Sequence, residues 1–250
     1  MSSFEEAEGP IAVGGVGGSG TRVMADLLMG LGVFVGNDLN GSNDNMSWPP
    51  FKALVQESEA SPEVKLGIAR GYLDAFREGM RRGFAAEGRV ATRWGWKVPT
   101  TFLHFDFLCD SFPSLRYIHL MRHGLDMVYS RNQNQLRNWG RHLGIRAEEH
   151  PPPVASLRYW IAANRFAISE CESRLPGRFL LLRFEDLCRE PGPTLERVAG
   201  FIGATPGAQD LSLLARRVEP PSSLGRYREH DLSIFSKTDL DAVRELGFPV

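Results

Sequence analysis

The chain has 250 residues, 42% of them hydrophobic, and a formal net charge of −1. That size suits one α/β domain over residues 1–250, burying roughly three-quarters of its unfolded surface. The balanced charge excludes a general field for nucleic acid or an anionic membrane.

Three cysteines, Cys109, Cys171 and Cys188, are too few and too widely spaced for a disulfide framework or a zinc site. The start, Met1 to Pro10, is polar and acidic, unlike a signal peptide, and residues 1–9 are expected to be flexible. No apolar run approaches membrane-spanning length, so the expectation is a soluble cytoplasmic enzyme with no membrane partner.

The first element is the most telling. Ile11 to Gly14 reads as a short buried strand, Gly15 to Gly20 as a glycine-rich turn, and Val23 to Met29 as a helix. Leu27, Leu28 and Leu31 fall on its buried side. A strand that feeds a glycine loop into a helix start makes an anion site. Unpaired backbone N–H groups converge there and the helix dipole is positive there.

Gly15 and Gly20 have the spacing of a nucleoside-triphosphate loop, but Thr21 and Arg22 stand where that loop needs lysine and a hydroxyl residue. Gly15, Gly17 and Gly20, with Asp38 downstream, also satisfy a dinucleotide fingerprint, a cheap match in so glycine-rich a loop.

Further along, residues 32–62 read as irregular. Residues 63–87 read as a helix, with Val64, Ile68, Tyr72, Phe76, Met80 and Phe84 on one core face. A strand over 90–96 ends at Lys97-Val98-Pro99, and a helix follows near 103–110. Leu115 to Met121 is a buried strand running into Arg122 and a helix that carries Ser130. Residues 138–153 are irregular, 157–174 helical, and 179–183 a strand ending at Phe184-Glu185-Asp186-Leu187. Helices to Gly203, over 211–217 and over 239–246 flank a polar loop at 220–230. In parallel sheets ligands sit outside the carboxyl ends of the strands. Gly17, Lys97, Arg122 and Phe184 all lie at such ends.

Three of these segments together resemble the sulfotransferase family. Gly17-Gly18-Ser19-Gly20-Thr21-Arg22 resembles its phosphosulfate loop, normally proline, a basic residue, Ser-Gly-Thr and a hydroxyl residue. Gly18 and Arg22 depart from that pattern. Arg122 with Ser130 resembles the family's 3′-phosphate motif, a strand-ending arginine and a serine eight residues later. Ser130 would stand about two turns into the helix, facing back, so that both groups reach one phosphate. Arg183-Phe184-Glu185-Asp186-Leu187 resembles the strand end beside the nucleotide, with Glu185 and Asp186 read as structural.

The resemblance implies a P-loop-type parallel sheet flanked by helices. It implies 3′-phosphoadenosine-5′-phosphosulfate (PAPS) as donor, PAP as product and no metal. Donor contacts would come from Gly17, Gly18, Ser19, Gly20, Thr21, Arg22, Arg122, Ser130, Phe184 and, in a late basic loop, Arg226. Since Gly18 cannot assist the leaving oxygen, Lys97 and Arg22 are the candidate catalytic cations. Asp38 is the preferred base, near where tyrosylprotein sulfotransferases carry a glutamate; Asp44 and His104 are rivals. Trp48, Phe51 and Trp139 are expected to stack on a small-molecule, carbohydrate or peptide acceptor. A small-molecule kinase with a degenerate loop, a non-catalytic nucleotide-binding protein and, more weakly, an NAD-dependent oxidoreductase are the alternatives.

Overall fold

The computed structural model describes residues 4, 8–87 and 91–250. Five strands run β1 (Glu8–Gly14), β2 (Val33–Phe34), β3 (Arg93–Lys97), β4 (Arg116–Met121) and β5 (Phe179–Arg183). They form one parallel sheet in the order β2-β3-β1-β4-β5. The helices are α1 (Thr21–Gly30), α2 (Phe51–Gln56), α3 (Pro62–Ala86), α4 (Phe105–Ser111), α5 (Gly124–Val128), α6 (Asn134–Trp139), α7 (Pro152–Arg174), α8 (Phe184–Arg189), α9 (Pro191–Ile202), α10 (Ala208–Ala215) and α11 (Lys237–Glu245).

Strand alternation divides the core into two layers. Ile11, Val13, Ile118, Leu120 and Leu182 pack on α1, α8 and α9. Ala12, Trp96, Tyr117 and Met121 face the other way, onto α3, α4 and α7. Burial on both faces is what parallel strands require. Inside the second layer, His119 is held by Tyr117 Oη and Asn164 Oδ1, each at 2.9 Å. Burial pushes its pKa down to about 4.

Several boundaries differ from the sequence expectation. The strand expected from Val90 begins at Arg93, and residue 90 lies outside the described residues. Part of the expected flexible start also lies outside them; Glu8 and Gly9 belong to β1, and Phe4 is buried against Trp94 and Phe84. The helix expected from residue 157 starts at Pro152, because a proline costs nothing in a first helical turn whose N–H groups are unpaired.

The helix α3 buries Ala69, Leu73, Phe76, Met80 and Phe84. Val64, Ile68 and Tyr72, expected in the core, are exposed, because the core stripe in that half passes through Ala69 and Leu73 instead. The helix expected to carry Ser130 stops at Val128. The Gln133 side-chain amide donates to the carbonyls of Met127 and Ser130, capturing oxygens a continued helix would have used.

Candidate active site

The carboxyl ends of β1, β3, β4 and β5 converge on an open cleft of about 880 Å³, counting the solvent at its mouth. Its floor is the glycine loop. Gly20 caps α1 in the left-handed region at φ 92°, which an L side chain rarely adopts, and no side chain caps the helix. The first-turn amides are therefore left for a ligand. Gly17, Gly18, Gly20, Thr21 and Arg22 line the cleft. Ser19 is fully buried behind it, and its Oγ has no hydrogen-bond partner. The loop is braced from behind, where Gln135 Nε2 donates to the Gly15 carbonyl at 3.2 Å and Gln135 Oε1 accepts from Tyr159 Oη at 3.1 Å.

Lys97, at the end of β3, is only 2% exposed and reaches into the cleft. Its Nζ donates to the Ser42 carbonyl at 2.9 Å and forms an ion pair with Asp44. Burial pulls the amine below the usual lysine range; the bond to Asp44 opposes this, and the nearby Arg22 charge adds to it. Arg22 is exposed at the cleft and has no ion-pair partner among the described residues; Asp26, one turn further along α1, accepts from Asn43.

A turn decides which carboxylate meets Lys97. Leu39 and Asn45 form an antiparallel bridge, with Asn43 at φ 61° in the turn between them. The Asn40 side chain accepts from the amides of Ser42 and Asp44, and Asn45 N donates to the Lys97 carbonyl at 3.0 Å. The buried Asn45 side chain also donates to the Val35 carbonyl, tying the turn to β2. Asp44 on the returning arm faces Lys97, whereas Asp38 on the outgoing arm is exposed and does not line the cleft.

Arg122, 6% exposed, lines the far wall at the end of β4. Its Nη2 donates to the Ser223 carbonyl and hydroxyl, at 2.7 and 3.0 Å, and stands 3.7 Å from Asp126. Its Nε has no partner, and the guanidinium lies over the Phe184 ring. Asp126 also accepts from the amides of Gly225 and Tyr227, which fixes the late basic loop. Arg226 bonds the Asp126 carbonyl and does not line the cleft. Ser130 also lies outside the lining, in the turn after α5, where its Oγ accepts from the Asn132 amide. Glu185 accepts from the His123 amide, and burial raises its pKa.

The aromatic residues expected to meet an acceptor belong to the core. Phe51 and Trp139 are 1% and 4% exposed, and Trp48 packs on Phe51, Phe76 and Trp96. Together they enclose His104, whose pKa burial lowers to about 3. Gln135 and Asn132 do not stand out in the sequence, since nothing in their spacing marks them; Ser223 belongs to the late loop that the resemblance sets at the 3′-phosphate, where Arg226 was the expected contact. Among the described residues no group of three or more His, Cys, Asp or Glu side chains is placed to hold a metal ion. None of the described helices is long and apolar enough to cross a membrane.

A family model described as the sulfotransferase family matches residues 10–206. The chain belongs to the sulfotransferase family. No curated protein matches the chain in sequence.

Solved sulfotransferase structures share the architecture. The sulfotransferase domain of the Synechococcus PCC 7002 olefin synthase superposes with a TM-score of 0.60 at 16% identity, covering 100% of this chain and 98% of that one. The sulfotransferase domain from the curacin biosynthetic pathway gives 0.58 at 16% identity, covering 100% of both chains. Mouse sulfotransferase SULT7A1 complexed with PAP gives 0.51 at 11% identity, covering 98% of this chain and 84% of that one. The five-stranded parallel sheet of this sulfotransferase-family chain, flanked by helices, is thus a P-loop-type fold.

Proposed function

We propose that this sulfotransferase moves a sulfuryl group from PAPS to a hydroxyl or amine of a small-molecule, carbohydrate or peptide acceptor. The observation that carries this reading is the meeting of Lys97, Arg122 and the uncapped start of α1 in one cleft. The cleft's donors suit an anionic nucleotide. Three cations line it, and two buried polar atoms beside it, Ser19 Oγ and Arg122 Nε, lack partners. A PAP-bound relative of the same fold adds support.

PAPS supplies the activated sulfuryl group. The amides of Gly17 to Arg22 hold its 5′ end, and Arg122 with the Ser223 hydroxyl takes the 3′-phosphate. Arg226, outside the lining, is assigned a supporting role through Asp126, which stands beside Arg122; Ser130, also outside it, is given no donor contact. Lys97 Nζ neutralises charge on the oxygen that leaves when the sulfur–oxygen bond breaks. Arg22 adds a second positive charge at the mouth. Asp44 takes the acceptor's proton as the new bond from sulfur to the acceptor oxygen or nitrogen forms.

Calorimetry without magnesium, comparing PAP with ATP and NAD, tests the reading. Tight PAP binding with weak binding of the other two is expected. Absence of PAP binding overturns it.

A further inference from the structure

We propose that α3 pairs antiparallel with α3 of a second copy of the chain, through the face turned away from the core. The exposed apolar residues Val64, Ile68 and Tyr72 are 52%, 39% and 39% accessible. With Gly67, Gly71, Ala75 and Gly79 they share an arc of about 140° at 3.6 residues per turn, which also takes in Glu78, held by Arg81. The five buried residues of the helix occupy a separate arc. Such a face on a 25-residue helix has no role in the fold of one copy.

Shape points to a second copy as the occupant. The bulky apolar residues all lie in the first half of the face, and the small ones extend into its second half, where Glu78 beside them is drawn to Arg81 and Arg82. A side-chain carbon added at Gly67, Gly71 or Gly79 would meet nothing, so these positions are open to an incoming helix. A two-fold axis near Tyr72 sets Val64 and Ile68 of each copy over Ala75 and Gly79 of the other. Bulky residues then fill the smooth half of the partner in both directions, as an isologous contact demands.

Charge selects the same register independently. Along one edge of the arc, Glu63 and Arg81 each lie nine positions from Tyr72, and Arg70 and Asp74 each lie two. The antiparallel arrangement places Glu63 beside the second copy's Arg81, and Arg70 beside its Asp74. In a parallel two-fold pairing this edge would lie on opposite sides of the seam in the two copies, and these charges would not meet. Arg70 keeps only a 3.7 Å contact to Asp110, with both side chains more than half exposed, so it can turn to a new partner. A single helix seam is small for an interface, so the association depends on protein concentration.

Sedimentation velocity of the full chain across a concentration range tests this, with circular dichroism confirming the fold of each variant. The wild type should pass from monomer to dimer. Ile68→Glu, at an exposed position, should weaken the dimer at least about tenfold. Arg70→Asp should weaken it as well, and Arg70→Asp combined with Asp74→Arg should restore it. Both of those variants lose the Asp110 contact, so that loss does not distinguish them. A wild type that stays monomeric, a dimer indifferent to Ile68→Glu, or a charge exchange that restores nothing overturns the proposal.

Discussion

Lys97 and Asp44, 53 residues apart, form an ion pair inside the cleft, and the lysine is almost wholly buried while the carboxylate keeps 30% of its surface. The asymmetry matters. The amine is fixed in the cleft by the Ser42 carbonyl and Asp44, and the carboxylate remains partly open.

Replacing the lysine should therefore damage turnover more than donor affinity. Lys97→Ala is expected to lower kcat by about 10²–10³, the cost of removing one stabilising donor, with PAP affinity little changed. Steady-state kinetics and calorimetry on the same preparation check this. Equal turnover in the variant and the wild type would remove Lys97 from the chemistry.

The two carboxylates of the turn should separate cleanly. Asp44→Asn is expected to reduce kcat by about 10²–10⁴, the range for loss of a general base. Asp38→Asn, on the exposed arm, should leave kcat near the wild-type value. The opposite ranking would return the base to Asp38.

Arg122 should control donor affinity. Arg122→Ala removes a buried charge from the cleft wall and is expected to weaken PAP binding by about 2–5 kcal/mol. Calorimetry at constant ionic strength measures it, and unchanged affinity would contradict the assignment.

The brace behind the loop predicts a subtler phenotype. Tyr159→Phe deletes the hydroxyl that orients Gln135, and Gln135→Ala deletes the bond to Gly15. Each should raise the donor KM more than it lowers kcat and cost about 1 kcal/mol of stability. Donor titrations and thermal melts give both readings.

Stability should fall on acidification. His104 and His119 have folded pKa values of about 3 and about 4, below the ordinary 6.5 of an unfolded histidine. Between those values and 6.5 the unfolded chain binds protons that the folded chain refuses, so stability drops as pH decreases through that window. Thermal midpoints from pH 7 to 4 should show the decline, with a shallower slope in His119→Asn. A flat profile would mean that neither histidine is held neutral.

Much of this was legible locally. The strand, glycine loop and helix around Gly15 to Arg22, and the strand end at Arg122, are short-range patterns that the sheet then aligned. What was hidden depended on distant contacts. That Asp44 and not Asp38 meets Lys97 depends on the Leu39–Asn45 bridge and the Asn45 anchors to Val35 and Lys97. Ser130 fell off its helix because Gln133 competes for backbone carbonyls. Trp48, Phe51 and Trp139 look the same in sequence whether they meet a ligand or enclose His104.

One contact bears on how such proteins can be recombined. A side-chain carbon placed on Gly20 would overlap the ring of Phe184, so the loop after β1 and the segment after β5 interlock. The glycine loop is thus not a portable cassette. A chimera that imports it from another sulfotransferase without the matching aromatic segment would inherit a misfitted joint, and the two pieces should travel together.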